Sequence, residues 1–280
     1  MYPILEKQTL TPVTKSFVIG APAVARKAQA GQFVIVRVRE EGERIPLTIA
    51  DYDRQAGTIT IVVQELGKST KLLSTFDVGE ELASFTGPLG HPTEIKAYGT
   101  VVLVGGGVGI APIHPICRAL RKAGNHVIGI IGARTRELLF WEEEMRNVTD
   151  ELLVCTDDGS YIRKALVTVL LKELLDAGRT IDCVWGVGPA IMMKFVSLTT
   201  QPYGVKTIVS LNPIMVDGTG MCGACRVEVD GRTRFACVDG PEFDGHLVDW
   251  DLLLKRQRIY QDLEKEAIEH ECHCQKLGTE

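Results

Sequence analysis

The stretch VVLVGGGVGIAPIHPICRAL, Val101 to Leu120, constrains the chain more than any other. An apolar run of strand length enters a glycine-rich turn, Gly105 to Gly109, and the turn opens onto a helical stretch. That is the first strand, loop and helix of a nucleotide-binding α/β unit. HVIGIIGAR (His126 to Arg134), LLVCTDDGS (Leu152 to Ser160) and DCVWGVGPAIMMKF (Asp182 to Phe195) repeat the pattern of a buried run ending in glycine or polar residues. Alternating strands and helices predict a parallel sheet. Its ligands belong at the carboxyl ends of the strands, where GGGVG, GAR, TDDGS and GVGP all fall. GGGVG lacks the G-x-G-x-x-G spacing, so the four strand ends carry this reading together, against loops that merely need glycine to turn. His114, between two prolines on the helix, reads as a packed surface histidine and not as a base.

Before this unit, Tyr2 to about Tyr98 consists of short β-branched runs broken by Gly, Pro and Asp. FVIVRVR (Phe33 to Arg39), RIPLTIAD (Arg44 to Asp51) and TITIVVQ (Thr58 to Gln64) have strand length and turns between them, which predicts a small antiparallel barrel. KSTKLLSTF (Lys68 to Phe76) reads as one short helix. Pro46 within RIPLT places that segment at an edge or a bulge, with backbone groups left for another partner. Gly67 begins the helix, and Ser69 and Thr70 with the free amides there suit a pyrophosphate. A plain bulge and a plain N-cap are the structural alternatives.

The third feature is Asp217 to Cys237, DGTGMCGACRVEVDGRTRFAC. Plant-type two-iron clusters are held by C-x4-C-x2-C with a distant fourth cysteine, wrapped by a glycine-rich loop. Cys222 and Cys225 supply the C-x2-C pair and Cys237 the distant ligand, while Asp217 stands where a further thiolate is expected. A structural zinc site would use the same pair with Cys237 and His246, Cys272 or Cys274. A glycine-rich hairpin with buried thiols, and a turn role for Asp217, are the remaining readings. The two-iron reading takes precedence because the loop GTGM leaves little bulk against whatever the ligands hold.

Length of 280 residues suggests two domains, and the cysteine placement adds a small third. A net charge of -5 without a basic block argues against nucleic acid as a partner. Without a membrane-length apolar run or an apolar leader, a soluble cytoplasmic protein is expected. Cys117, Cys155 and Cys183 sit in apolar runs and read as inert core residues. From Trp250, Leu252, Ile259, Leu263 and Ala267 form an apolar stripe on a terminal helix, which should pack on its own domain. Cys272 and Cys274, beside His270 and His273, read as a frayed tail.

RIPLT, GGGVGIAP, TDDGS, GPAIMMK, DGTGMCGAC and ACVDGPEFDGHLVDW together resemble the ferredoxin-reductase-type electron-transfer subunits. That group includes the electron-transfer subunit of dihydroorotate dehydrogenase and the small subunits of bifurcating NADH/ferredoxin:NADP+ transhydrogenases. The resemblance spans nearly the whole chain. It implies a ferredoxin-reductase-like FAD-binding β-barrel over 1–98, an NAD-binding α/β domain with a parallel sheet over 99–209, a two-iron cluster domain over 210–249, and a C-terminal helix and tail over 250–280.

Carried over by motif, Arg44, Pro46, Leu47 and Thr48 would line the isoalloxazine and ribityl side of FAD. Val63, Gln64, Gly67, Ser69 and Thr70 would hold ribityl and pyrophosphate. The usual R-x-Y-S form is altered, since Leu47 replaces the aromatic and Arg44 lies four residues before Thr48. Gly106, Gly107, Gly109, Thr156, Asp157, Asp158, Gly188 and Pro189 would face the nicotinamide nucleotide. NAD(H) is the expected form, although Arg134 and Arg136 suit a 2′-phosphate.

Asp217, Cys222, Cys225 and Cys237 would hold a [2Fe-2S] cluster. The dihydroorotate dehydrogenase relatives carry cysteine at the first position, and the aspartate together with the ending DGHLVDW is similar to the transhydrogenase branch. The resemblance implies hydride exchange between NAD(H) and FAD and single-electron relay through the cluster. The recipient would be a larger flavin and iron-sulfur partner subunit in a heterodimer, with ferredoxin and NADP(H) handled there. A dihydroorotate dehydrogenase subunit and a nucleotide-sensing module with structural zinc are the two alternatives.

Overall fold

The structure, a computed structural model, describes residues 2–267. Seven antiparallel strands come first: β1 (Tyr2–Thr11), β2 (Thr14–Gly20), β3 (Phe33–Arg37), β4 (Arg44–Asp53), β5 (Thr58–Gln64), β6 (Glu81–Leu82) and β7 (Ser84–Leu89). Two helices, α1 (Pro22–Ala25) and α2 (Lys68–Thr75), lie in their connections. The spatial order β6-β1-β2-β5-β4-β3-β7 puts two chain-consecutive strands at the two ends, so the sheet curls nearly into a barrel. Ile4, Phe17, Ile19, Ile49, Ile59, Ile61, Leu73 and Phe85 fill it. The three strands and the helix expected from the sequence are all present, with boundaries within two residues.

A six-stranded sheet follows. Its parallel strands are β8 (Thr100–Gly106), β9 (His126–Ala133), β10 (Glu151–Thr156), β11 (Cys183–Val187) and β12 (Lys206–Ser210). Its covering helices are α3 (Ile110–Lys122), α4 (Glu142–Val148), α5 (Val167–Asp176) and α6 (Ala190–Thr200). The strands read as continuous apolar runs because both faces are covered. Val101 and Leu103 meet Ile113 and Ile116 of α3 on one face, while Val102 and Val104 meet Leu170 and Leu171 of α5 on the other. Cys117, Cys155 and Cys183 are buried here, as expected. Burial pushes the Cys155 thiol up to about 11 and that of Cys183 up to about 12, which suits inert core residues.

The chain then makes a hairpin, β13 (Arg226–Val229) and β14 (Arg232–Phe235), one turn α7 (Ala236–Asp239), a strand β15 (Glu242–Asp244) and a helix α8 (Trp250–Gln257). β15 pairs antiparallel with β12, so residues expected to belong to the cluster segment complete the nucleotide sheet: its order is β10-β9-β8-β11-β12-β15. The terminal helix departs from expectation. Turns at 258–260 interrupt it before a second helical stretch, 261–267. Its buried anchors are Trp250 and Leu253, which pack with Val209, Val227 and Val229, whereas Ile259 and Leu263 are 54% and 60% exposed. Cys272 and Cys274 lie outside the described residues.

Barrel and sheet are tied at several points. Asp51 on β4 receives both guanidinium ends of Arg118 on α3, at 2.5 and 3.1 Å. The buried Asn125 side chain accepts from the amides of Tyr98 and Gly99 and donates to the carbonyls of Lys96 and Leu120, fixing the connector. His114 is not at the surface. It lies 9% exposed between α3 and the barrel, its ring 5.4 Å from that of Trp141, and burial lowers its pKa.

Candidate functional site

Strand β4 changes partners halfway. Arg44 to Thr48 pair with β3, and Ile49 to Asp53 pair with β5, with a register shift between Ile49 and Asp51. Pro46 therefore sits where only one side of the strand is laddered, which is where a residue without an N–H is tolerated. On the facing strand, Val62, Val63 and Gln64 pair with β2 but not with β4. The two strands thus part between 44–48 and 62–64, and their unladdered edges face the gap. Arg44, Pro46, Leu47, Thr48 and Gln64 all border this opening. Val63 does so with its backbone alone, because its side chain is buried in the barrel core.

At the same end, α2 begins at Gly67, where an added Cβ would meet nothing within 4 Å. Thr70 Oγ1 accepts from the amides of Leu66 and Gly67 and donates to the Gly67 carbonyl, so this hydroxyl shapes the turn. Ser69 Oγ donates to Glu43 Oε2 at 3.1 Å, which draws the helix start to the residue next to Arg44. An open gap between strand edges beside a helix N-terminus suits a planar ring system with an attached phosphate.

On the nucleotide sheet, Gly106 ends β8, and Gly107 and Gly109 follow it. Gly107 has φ +56, and a Cβ there would enter open space. Gly109 does the opposite job, since a Cβ on it would lie 2.1 Å from the Val187 carbonyl oxygen. It lets the start of α3 lie against the end of β11, where Gly188 also approaches the Gly106 carbonyl. Thr156 is fully buried, and its hydroxyl bonds to the Tyr161 backbone, so it closes the 156–161 loop. The amides of Asp157 and Asp158 bond to the carbonyls of Ala133 and Arg134, joining the ends of β9 and β10. Burial raises the Asp157 carboxyl against the opposing charge of Arg134. The Arg136 guanidinium stacks 4.3 Å from the centre of the Tyr161 ring. The strand ends expected to meet a nucleotide therefore share one edge, as the sheet topology requires.

The cysteine loop lies against the barrel. Gly218, with φ +81, packs so closely that a Cβ would lie 2.8 Å from both Ile35 and Leu89, on β3 and β7. Phe33 and Ile35 share a buried cluster with Met215, Cys225 and Cys237. The sulfurs of Cys225 and Cys237 are 3.2 Å apart. Burial first, and the neighbouring Cys225 second, push the Cys237 thiol up to about 12. Burial of the Cys237 thiol beside a second sulfur favours its neutral form unless a cation shares it, and a metal centre supplies one. The Gly220 amide also bonds to Cys237, a donor of the kind that supports a thiolate.

Cys222 is exposed at the loop surface. Asp217 Oδ2 accepts from Thr219 N at 3.0 Å, Thr219 Oγ1 at 2.6 Å and Met221 N at 3.2 Å. The Thr219 bonds, then the Met221 amide and the charge of Arg44, hold this carboxyl below its usual range. Arg44 is thus a neighbour of both the barrel opening and the cysteine loop, a proximity that motif spacing did not show.

Among the described residues no three His, Cys, Asp or Glu side chains are gathered to hold a single metal ion. A two-iron cluster spreads its four ligands over two metals. His246, an alternative zinc ligand, is instead hydrogen-bonded to Thr200 at 2.9 Å. A buried thiol pair, an outer Cys222 and an ionised Asp217 fit the spread arrangement.

Comparison with known proteins agrees with this geometry. Residues 212–249 match the iron-sulfur cluster binding domain of dihydroorotate dehydrogenase B. A dihydroorotate dehydrogenase B (NAD+) electron transfer subunit homolog of Thermotoga maritima is 50% identical over 95% of this chain and 94% of its own. The electron transfer subunit of dihydroorotate dehydrogenase B from Geobacillus thermodenitrificans is 30% identical over 86% of this chain and 94% of its own. A solved structure of an NADH-dependent reduced ferredoxin-NADP oxidoreductase superposes with TM-score 0.91 at 47% identity, covering 96% of this chain and 97% of that one. With relatives matched end to end, and a barrel, nucleotide sheet and cysteine loop all in place, the chain belongs to the family of dihydroorotate dehydrogenase B-type electron-transfer subunits.

Proposed function

We propose that this chain is the NAD(H)-linked electron-transfer subunit of a bifurcating NADH/ferredoxin:NADP+ transhydrogenase. Residues 1–98 serve FAD, 99–209 NAD(H) and 210–249 a [2Fe-2S] cluster. When bound, FAD exchanges a hydride with the nicotinamide and passes electrons singly to the cluster. The chain's own residues position and tune. The parted edges of β4 and β5 receive the flavin ring, with Arg44, Pro46, Leu47 and Thr48 on one side and Gln64 on the other. Gly67 and the amides after it take the pyrophosphate. Gly107, with Asp157, Asp158, Gly188 and Pro189, borders the nucleotide, while Gly106 and Gly109 allow its cradle to close. Asp217, Cys222, Cys225 and Cys237 hold the cluster.

One observation carries this reading: the cysteine loop is seated on β3 and β7 through Gly218, next to the opening in the barrel. A relay needs its donor and acceptor held at short range, and this contact provides it. On the outer side of the loop, Met221 is 89% exposed, with Val216 and Val238 also exposed near Cys222. An apolar surface beside an outward-facing ligand suits a partner protein. We assign this face to a larger flavin and iron-sulfur subunit, through which ferredoxin and NADP(H) are reached.

The test is an anaerobic titration of purified protein with NADH and then dithionite, followed by visible absorption and electron paramagnetic resonance. Bleaching of flavin bands by NADH and a two-iron signal on reduction are expected. Colourless, zinc-containing protein that ignores NADH after FAD is added would overturn the reading.

A further inference from the structure

Glu242 opens β15, the strand by which the chain returns from the cysteine loop to the nucleotide sheet. The residue keeps some solvent contact, yet its carboxyl group is enclosed at the meeting of three segments. Oε1 accepts from Thr93 Oγ1 at 2.6 Å, on the stretch leaving the barrel. Oε2 accepts from Trp185 Nε1 at 3.4 Å, in the middle of β11. Gly31 forms the wall, because a Cβ there would lie 2.2 Å from Thr93 Oγ1 and 3.2 Å from Glu242 Oε1. Next to it, the His91 amide donates to the Gly240 carbonyl at 2.6 Å, so the same two segments are also joined by backbone. Nothing in the electron relay uses this carboxyl.

We propose that Glu242 is a positioning residue, a clamp holding the cluster-bearing segment to the barrel and the nucleotide sheet at once, which closes with its carboxyl protonated and loosens when it ionises. A carboxylic acid here still accepts from Thr93 Oγ1 and Trp185 Nε1 through its oxygen lone pairs, and it places no net charge in the enclosure. A carboxylate keeps both donors but has no cation to offset its burial. The ionisable groups around it are His91 and Glu94 after the barrel, Lys96 and Tyr98 on the connector, Cys183 on β11, Lys206 on β12 and Asp244 on its own strand. Burial raises Tyr98 and Cys183, with the charge of Glu242 a small addition to each, and Lys96 and Lys206 lie over the Tyr98 ring. Burial raises the Glu242 carboxyl to about 7, against which only the Thr93 and Trp185 hydrogen bonds act.

The direction follows from linkage. An opened clamp exposes an ordinary glutamate, so opening becomes roughly tenfold easier per pH unit between the ordinary pKa and the raised one, and is level above it. Loosening the clamp would let the cluster segment shift from the barrel, slowing transfer to the cluster but not reduction of the flavin.

The test is hydrogen–deuterium exchange on the cofactor-loaded protein from pH 5 to 8, corrected for intrinsic amide chemistry, read over residues 91–93 and 240–245. In the wild type, opening should rise by up to about two orders of magnitude to near pH 7 and then level. Glu242→Gln copies the protonated acid and should give a flat, protected profile. Thr93→Val removes one partner and keeps the volume, and should raise opening across the whole range. A flat wild-type profile, or a Gln variant less protected than wild type at pH 7.5, overturns the clamp. The kinetic arm, cluster reduction after mixing with NADH, rests on the proposed relay. Its failure alone would count against the relay, because exchange reads the clamp whether or not electrons move.

Discussion

Replacing Gly109 by alanine tests the packing beneath the nucleotide edge. Its φ of -62 is ordinary for alanine, so backbone strain is absent and loss of unfolded-state freedom would favour the variant by about 0.4–1 kcal/mol. The added methyl, however, lies 2.1 Å from Val187 O, 2.6 Å from Val187 C and 2.8 Å from Gly188 Cα. All three are backbone atoms and cannot rotate away. Relief requires the start of α3 and the end of β11 to separate by on the order of an ångström, and overpacking of this kind costs about 1–3 kcal/mol or more. The clash wins, with a net loss of about 1–2 kcal/mol or more, and it moves Gly188 and Pro189 away from the edge. Urea unfolding should show the lower stability. An NADH titration should show weakened flavin reduction while dithionite still reduces flavin and cluster. Gly107→Ala gives the contrast, since its methyl enters open space and costs only the left-handed backbone, about 1–2 kcal/mol, while intruding on bound nucleotide. A Gly109→Ala protein as stable as wild type, with unchanged response to NADH, would refute the argument.

Gly218→Ala should unseat the cysteine loop from Ile35 and Leu89. Stopped-flow absorption should then show normal flavin reduction by NADH and cluster reduction slowed at least tenfold. Asn125→Ala strands two part-buried amides and two carbonyls at the connector, and should cost about 1–3 kcal/mol in urea unfolding. Arg179, then His126, hold the Glu151 carboxyl down to about 2. Their contribution is complete above the ordinary carboxylate pKa and is lost as pH falls through about 2. Because both Glu151 and Arg179 remain about one-third exposed, the loss should stay below about 1 kcal/mol. Glu151→Gln should remove that acid limb from the pH dependence of thermal unfolding.

Much of this protein could be read without coordinates. Strand runs such as Thr58–Gln64, the helix after Gly67, the glycine turn after Val104 and the C-x2-C loop are local patterns, set by side-chain periodicity and by turns that need small residues. The topology of alternating strands and helices followed, and with it the shared edge of the strand ends. Local pattern also misled in places. It placed Leu252, Ile259 and Leu263 on one buried stripe, whereas a break at 258–260 hands the anchoring to Trp250 and Leu253. It put His114 at the surface, although the barrel covers it.

What the tertiary structure alone decided involves residues far apart in the chain. The parting of β4 from β5 depends on which strand each half of β4 chooses. Gly218 meets Ile35 and Leu89 only after the sheet has curled. β15 joins β12 across the whole cysteine segment, and Glu242 finds Thr93 at a separation of 149 residues and Trp185 at 57. No short window of sequence contains such pairs. They arise because burying the two faces of the sheet and closing the barrel leaves one arrangement in which the polar groups of three segments satisfy one another.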